Sequence, residues 1–232
     1  MKNVSKKKFL INGFLIRIVI TNKIWKQNSY LVTDIKSGEQ ILIDPGGEPS
    51  LIKKLIRSEG NGSLNHILLT HAHFDHIGAA AEIKKYFDVP CYLCNYDFRL
   101  MRQANLYAIK FGGKKIEIPY DVKKFNSSPE IKVGNYYIET IFTPGHTLGG
   151  VSYIFNGFLF TGDTLLYKSV GRADLPGSDI EQLKISVDTI LNLDIDNGII
   201  FSGHGTHWSI SEARLWWYKE RAAMPQHNMF IK

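Results

Sequence analysis

Apolar residues recur along this chain with two alternating periods. Strand-like runs occupy 9–20, 29–34 and 40–43, the third closed by "DPGG". "EPSLIKKLIRSEG" then takes a helical period, with Leu51, Ile52, Leu55 and Ile56 on one face and Gly60 as its stop. "HILLT" is a short buried strand, "FDHIGAAAEIKKYF" a helix and "VPCYL" another strand, before a mixed segment that runs to about residue 125. The second half repeats the alternation. "EIKVGNYYIETIFTPG" holds two strands around Gly134-Asn135, and "VSYIFNGFLFTGD" is a hairpin whose Asn156-Gly157 suits a type I′ turn. "SDIEQLKISVDTILNL" is a helix capped by Ser178 or Asp179, with Glu181 placed for a capping box. "GIIFSG" is a strand and "SISEARLWWYKERAAM" the last helix. Strand clusters alternating with helices in two similar halves predict sheets covered by helices on their outer faces.

Composition narrows the class without naming a chemistry. A chain of 232 residues with 44% hydrophobic and 22% charged positions can bury a sizeable core, in one large domain or two small ones. The +6 formal charge favours anionic partners, but it gathers partly in short runs at 6–8, Lys114-Lys115 and Lys123-Lys124, which read as solvated faces. The N-terminal "MKNVSKKKFLINGFLIRIVI" has the outline of a signal peptide, yet Asn12, Gly13 and Arg17 interrupt its apolar segment and no small-residue cleavage site follows. It reads as a first strand with a ragged lead-in. No run reaches membrane-spanning length, so a soluble cytoplasmic protein is expected. The two cysteines, Cys91 and Cys94, lie on a predicted strand that points them to opposite faces, which makes them ordinary buried thiols.

Histidines and aspartates gather where predicted strands end. "ILLT" delivers His71, His73, Asp75 and His76 in "HAHFDH"; "IETIFTPG" delivers His146; "GFLFTGD" delivers Asp163; "GIIFSG" delivers His204. Glycines in "PGH", "TGD" and "SGHG" allow tight turns that aim these side chains inward. Ligands at strand ends are rigidly held, as a metal site of fixed geometry requires. A catalytic zinc takes about three protein ligands and keeps a place for water. Seven candidates are too many for one ion and suit two, with one shared carboxylate, for which Asp163 is the choice. A pair of ions lowers the pKa of a shared water and stabilises an oxyanion, so the reaction class is metal-assisted hydrolysis of an ester, thioester, amide or phosphodiester. Asp75 can accept a hydrogen bond from the resulting hydroxide and relay its proton. His66 and His227 read as structural or exposed, and His207, close behind "GHGT", is a candidate for the pocket wall.

His-x-His-x-Asp-His followed in order by "TPGHT", "TGDTL" and "GHG" resembles the metallo-β-lactamase superfamily, over most of the chain from "NSYLVTD" to "SGHGT". That resemblance implies an α/β (α+β) fold, a four-layer αβ/βα sandwich of two mixed sheets with helices outside and a dinuclear site along one edge. Carried over by position, His71, His73 and His146 hold one metal, Asp75, His76 and His204 the other, and Asp163 bridges. The ions expected are two divalent metals, zinc first, with iron or manganese as alternatives. "SVGRADLPGSD" resembles the short bacterial branch of glyoxalase II, the hydroxyacylglutathione hydrolases. There the position of Arg172 lies near the substrate, so a small anionic thioester is the expected partner. The rival for Arg172 is a local ion pair with Asp174 that shapes the loop.

The chain departs from long-form glyoxalase II in two respects. No separate C-terminal helical domain is expected, so residues 1–232 read as one domain, and "GHGTHWSIS" replaces the usual "GHGPxT". Trp208, Trp216 and Trp217 are candidates for a pocket wall, a subunit contact or core, in a monomer or homodimer. Three rivals stand beside the hydrolase. A mononuclear iron persulfide dioxygenase would use the positions of His71, His146 and Asp163, but leaves the second set unexplained. A nuclease needs a nucleic-acid-gripping insertion for which the length has no room. A non-enzymatic zinc module would be closed by four ligands rather than seven. β-Lactam hydrolysis fits poorly without an export signal.

Overall fold

A computed structural model of the protein describes residues 7–22 and 24–221. The elements in chain order are β1 (Lys8–Ile11), β2 (Phe14–Thr21), β3 (Gln27–Asp34), β4 (Gln40–Ile43), α1 (Pro49–Ser58), β5 (His66–Leu68), α2 (Phe74–Ile77), α3 (Ala80–Phe87), β6 (Cys91–Cys94), α4 (Phe98–Lys110) and β7 (Lys123–Phe125). The second half holds β8 (Ile131–Val133), β9 (Tyr136–Phe142), β10 (Val151–Phe155), β11 (Phe158–Gly162), β12 (Leu165–Leu166), β13 (Ser169–Val170), α5 (Ile180–Leu191), β14 (Ile199–Ser202), β15 (Trp208–Ser209) and α6 (Ile210–Glu220).

Two mixed sheets face each other. The first runs β1 to β7 in sequence order, antiparallel as far as β4 and parallel from β4 to β7. The second runs β15-β14-β11-β10-β9-β8, with β11 and β14 parallel and the other pairs antiparallel. Parallel neighbours need crossovers, which α1, α3, α4 and α5 supply. Between the sheets lies a core of Phe14, Ile16, Tyr30, Val32 and Ile43 against Tyr153, Phe155, Phe158, Phe160 and Phe201. Ile52, Ile56, Ile83 and Met101 cover the outer face of the first sheet, and Leu183, Val187, Ile190 and Trp217 that of the second. The result is the expected four-layer order of helix, sheet, sheet, helix. Cys91 packs into the outer core and Cys94 into the inner one, as alternation along a strand requires.

Three local readings are corrected. Residues 9–20 are a hairpin, not one strand, because Asn12 (φ 48°) and Gly13 (φ 81°) form the same type of left-handed pair as Asn156 (φ 49°) and Gly157 (φ 80°). The helix expected over 74–87 breaks into α2 and α3 at Gly78, where a Cβ would collide with the carbonyl of Gly46. Asp179 is the cap of α5, accepting from the N–H groups of Glu181 and Gln182, so Glu181 sits one position too early for a box and pairs with Lys184 instead. A capping box forms at Ser209 and Glu212, opening α6. The proposed extension of α6 to Met224, His227 and most of the N-terminal lead-in lie outside the described residues.

Candidate metal centre

Parallel strands end on the same side, and here the C-terminal ends of β4, β5 and β6 meet those of β9, β11 and β14 along one edge of the sandwich. The loops leaving those ends carry all seven predicted ligands. His71, His73, Asp75, His76, His146 and Asp163 are each at most 8% exposed, and His204 is partly buried.

Two groups form. Ligand atoms of His71, His73 and His146 lie within 4.8 Å of one another, as do those of Asp75, His76 and His204. Asp163 stands between them, with Oδ1 3.4 Å from His76 Nε2 and Oδ2 3.7 Å from His146 Nε2 and 3.5 Å from His204 Nε2.

Hydrogen bonds fix which nitrogen each ring presents. His76 Nδ1–H donates to Asp44 Oδ2 at 2.9 Å, His146 Nδ1–H to the carbonyl of Arg172 at 2.7 Å, and His204 Nδ1–H to the carbonyl of Trp25 at 2.9 Å. His71 Nδ1–H reaches the Thr70 hydroxyl at 3.0 Å, which itself donates to Asp44 at 2.6 Å. In the neutral rings, the form that binds a metal, these acceptors assign the tautomers and leave Nε2 of all four as a lone pair. His76 Nε2 then faces His204 Nε2, lone pair to lone pair, at 3.3 Å, while His146 Nε2 lies 2.9 Å from Nδ1 of His73, whose tautomer no other hydrogen bond among the described residues assigns. Lone pairs that close repel unless a cation or proton lies between them. His71 Nε2 and Asp163 Oδ1 are buried with no hydrogen-bond partner among the described residues. Orphaned acceptors turned towards each other fit a pair of divalent ions.

The protein's own charges polarise the two groups differently. Burial, then the neighbouring histidines, pushes His71 well below its ordinary value; burial and His146 push His73 down to about 3. Burial also opposes a charge on His76, but Asp163 and Asp44 outweigh it and hold the ring well above its usual range. His204 is raised against burial by Asp163 and Asp75. Asp163 would be raised by burial, yet His204, His76 and His146 hold it well below the carboxylate range, and Asp75 is lowered in the same way by His204 and His76.

Two buried aspartates outside the predicted set organise the loops. Asp44, in "DPGG", accepts from Thr70 N–H, the Thr70 hydroxyl and His76, so one carboxylate steers both His71 and His76. Asp97 accepts from Ala72 N–H at 2.9 Å, the Thr147 hydroxyl at 2.9 Å and Gly149 N–H at 2.7 Å, tying the "HAHFDH" loop to the loop of His146. Asn28 on β3 does the same for "SGHG", donating to the carbonyls of Ser202 and Gly205. Gly203 is needed for closeness: a Cβ there would overlap Asp163 Oδ1 and stand 2.6 Å from His76 Cε1.

A cleft of about 350 Å³ opens onto the centre, lined by His73, Asp75, His146, Asp163, His204 and Arg172 together with apolar side chains. Arg172 makes a bidentate pair with Asp174, Nε to Oδ1 and Nη2 to Oδ2 at 2.7 Å each. His207 is placed elsewhere, its ring 4.5 Å from that of Phe9 and stacked 5.9 Å from Phe201. Trp208 and Trp217 belong to the core under α5 and α6, with Trp216 packed against it. A wider groove of about 1030 Å³ between α5 and α6 has polar groups that satisfy one another: Trp217 Nε1–H donates to Asp188, and Arg214 to the carbonyls of Leu191 and Leu193. The chemistry lies in the smaller cleft.

A sandwich with histidine and aspartate clusters at one edge defines a metallo-hydrolase, and residues 23–204 match the metallo-beta-lactamase superfamily, to which the chain belongs. Among its relatives, the hydroxyacylglutathione hydrolase GloC of Haemophilus influenzae is 35% identical over 82% of this chain and 91% of its own length. The probable metallo-hydrolase YqgX of Bacillus subtilis is 34% identical over 77% of this chain and 84% of its own. The crystal structure of TTHA1623 in a di-iron-bound form is 34% identical and superposes with a TM-score of 0.73, covering 84% of this chain and 96% of the other. No helix among the described residues is long and apolar enough to cross a membrane.

Proposed function

We propose that the protein hydrolyses thioesters with two divalent metal ions, one held by His71, His73 and His146, the other by Asp75, His76 and His204, with Asp163 shared. The observation that carries this reading is the pair of buried ligand groups whose acceptors face each other across Asp163 at the floor of a cleft. When bound, such ions would supply Lewis acidity, lowering the pKa of a water and neutralising charge that develops on the acyl oxygen.

The chain's own residues do the rest. Asp75 lines the cleft and is held in its ionised form, so its carboxylate can take a proton from the attacking water. Asp44 and the carbonyls of Arg172 and Trp25 keep the histidines oriented throughout. A thiol with a pKa of about 8.5 leaves readily as the thiolate, so no general acid is required. An amide would need one for its amine. The largely apolar wall above the ligands suits the leaving group that needs no proton, and the 35% identity to GloC supports the same substrate class. The Arg172–Asp174 pair supports a role for that segment in shaping the loop whose carbonyl orients His146.

Elemental analysis of protein purified with zinc, iron and manganese supplied, combined with a thioester panel, tests the proposal. The expected result is close to two divalent ions per chain and turnover of thioesters in preference to lactones, phosphodiesters and amides. Saturation at one iron, with oxygen consumed on glutathione persulfide, would overturn it.

A further inference from the structure

Resting on the thioester reading, we infer that the cleft selects a short apolar acyl group, through a wall built by Trp25, Phe74, Tyr107 and Phe111. Beyond the ligand set, the described lining residues are Ile24, Trp25, Phe74, Tyr107, Phe111, Leu175 and Arg172. None is Ser, Thr, Asn or Gln, so apart from the ligands the uncharged polar side-chain groups in this lining are the Tyr107 hydroxyl and the Trp25 indole N–H, of which only the hydroxyl can accept a hydrogen bond from a hydroxyl on the acyl chain. Arg172 is the one permanent cation among them, and its Nε and Nη2 already hold Asp174. A buried polar group without a partner is disfavoured, whereas an apolar chain gains by leaving water.

The wall is preorganised. Trp25 meets Phe74 edge to face at 4.9 Å, Phe74 lies nearly parallel to Phe111 at 6.5 Å, and Arg172 Cζ stands 5.5 Å from the Phe111 ring. The turn after α4 folds back beneath it, where a Cβ on Gly113 would touch Trp25 at 3.3 Å and Phe74 at 3.5 Å. Trp25 also gives its carbonyl to His204, so the wall is held in register with the ligands. At about 350 Å³ the cleft is near the lower end of ligand pockets, which span about 300–1,000 Å³. It has room for one small group; exposed Ile24 marks the rim over which a carrier would leave.

Calorimetry on the zinc-loaded full chain tests this with non-hydrolysable S-alkyl thioethers of N-acetylcysteamine, from ethyl to hexyl. Affinity should rise about three- to fourfold per methylene until the cleft is full, with an increasingly negative heat-capacity change. In Phe111→Ala, or in Leu175→Asn on the facing loop, the gain per methylene should fall below about twofold at unchanged zinc content. Hydrolysis of acetyl, lactoyl, butanoyl and hexanoyl thioesters on both N-acetylcysteamine and glutathione should follow the acyl chain rather than the carrier. A flat alkyl series, or lactoyl preferred over butanoyl on both carriers, would overturn the inference while leaving a thioesterase in place. Graded thioether binding with no thioester turned over would uphold the cleft's preference and sink the thioester reading instead.

Discussion

Asp44 shows how much of this centre is arranged by residues that do not face the cleft. Its carboxylate takes the Nδ1–H of His76 directly and that of His71 through the Thr70 hydroxyl, so one buried side chain sets two tautomers. Removing it frees both rings to rotate or to present the wrong nitrogen. Losing such an orienting partner typically costs about 10–100-fold in metal affinity. Asp44→Ala should therefore lose metal to a competing chelator at correspondingly lower chelator concentration, with the His76 group emptied first. Equal retention in the variant and the parent would show that backbone geometry alone aims these rings. The ligands were legible in the sequence because histidine is rare and their clusters end apolar runs. Asp44 was not, since an aspartate before Pro-Gly-Gly also reads as a plain strand terminus. The acceptors for His146 and His204 are main-chain carbonyls, which every residue type supplies and no letter marks.

At the scale of elements, the loop after β13 turns the sequence "GRAD" into a positioning device. Gly171 leaves no side chain where a Cβ would overlap the Asp163 carbonyl and press on His146 Nδ1, and the Arg172–Asp174 pair holds the loop's outer side. Arg172→Ala should then lower kcat/KM by about tenfold or more, by the same factor on a glutathione thioester and on a neutral one. A loss confined to KM for the anionic substrate would instead assign Arg172 to carboxylate binding. Elements differed in legibility for physical reasons. Hairpins at Asn156-Gly157 and Gly134-Asn135 followed from turn chemistry, and the same logic applied to Asn12-Gly13 gives the hairpin that an apparent single strand concealed. α4 falls in the segment without a clear period because its buried face is one methionine, Met101, and two alanines, Ala104 and Ala108, set among arginines and polar groups that give a weak apolar signal. That helix and the turn after it carry two walls of the cleft, Tyr107 and Phe111, so the acyl-facing side of the site was the part least readable from the chain.

Across the whole molecule, the sandwich is pinned at its edge by His207. Its ring packs against both Phe9 of β1 and Phe201 of β14, which also touch each other, and the cluster joins the first hairpin of one sheet to the strand that delivers His204 in the other. Burial, helped by Lys7, lowers its pKa, and its Nδ1 has no hydrogen-bond partner among the described residues. The unfolded chain therefore takes up this proton at a higher pH than the folded one. Stability rises with pH wherever the unfolded state binds more protons. This contribution is fully present above about pH 6.5 and is lost as the pH falls from there towards the folded-state value. His207→Phe keeps an aromatic ring against Phe9 and Phe201 and removes the titration. Urea midpoints for parent and variant, measured at pH 7.5 and 5.5, should diverge in one direction: the variant should lose less stability on acidification. Protonation of the metal-ligating histidines acts on both proteins alike and cancels in the difference. Parallel losses would mean that His207 keeps an ordinary pKa, and that acid sensitivity resides wholly in the metal centre and the other histidines.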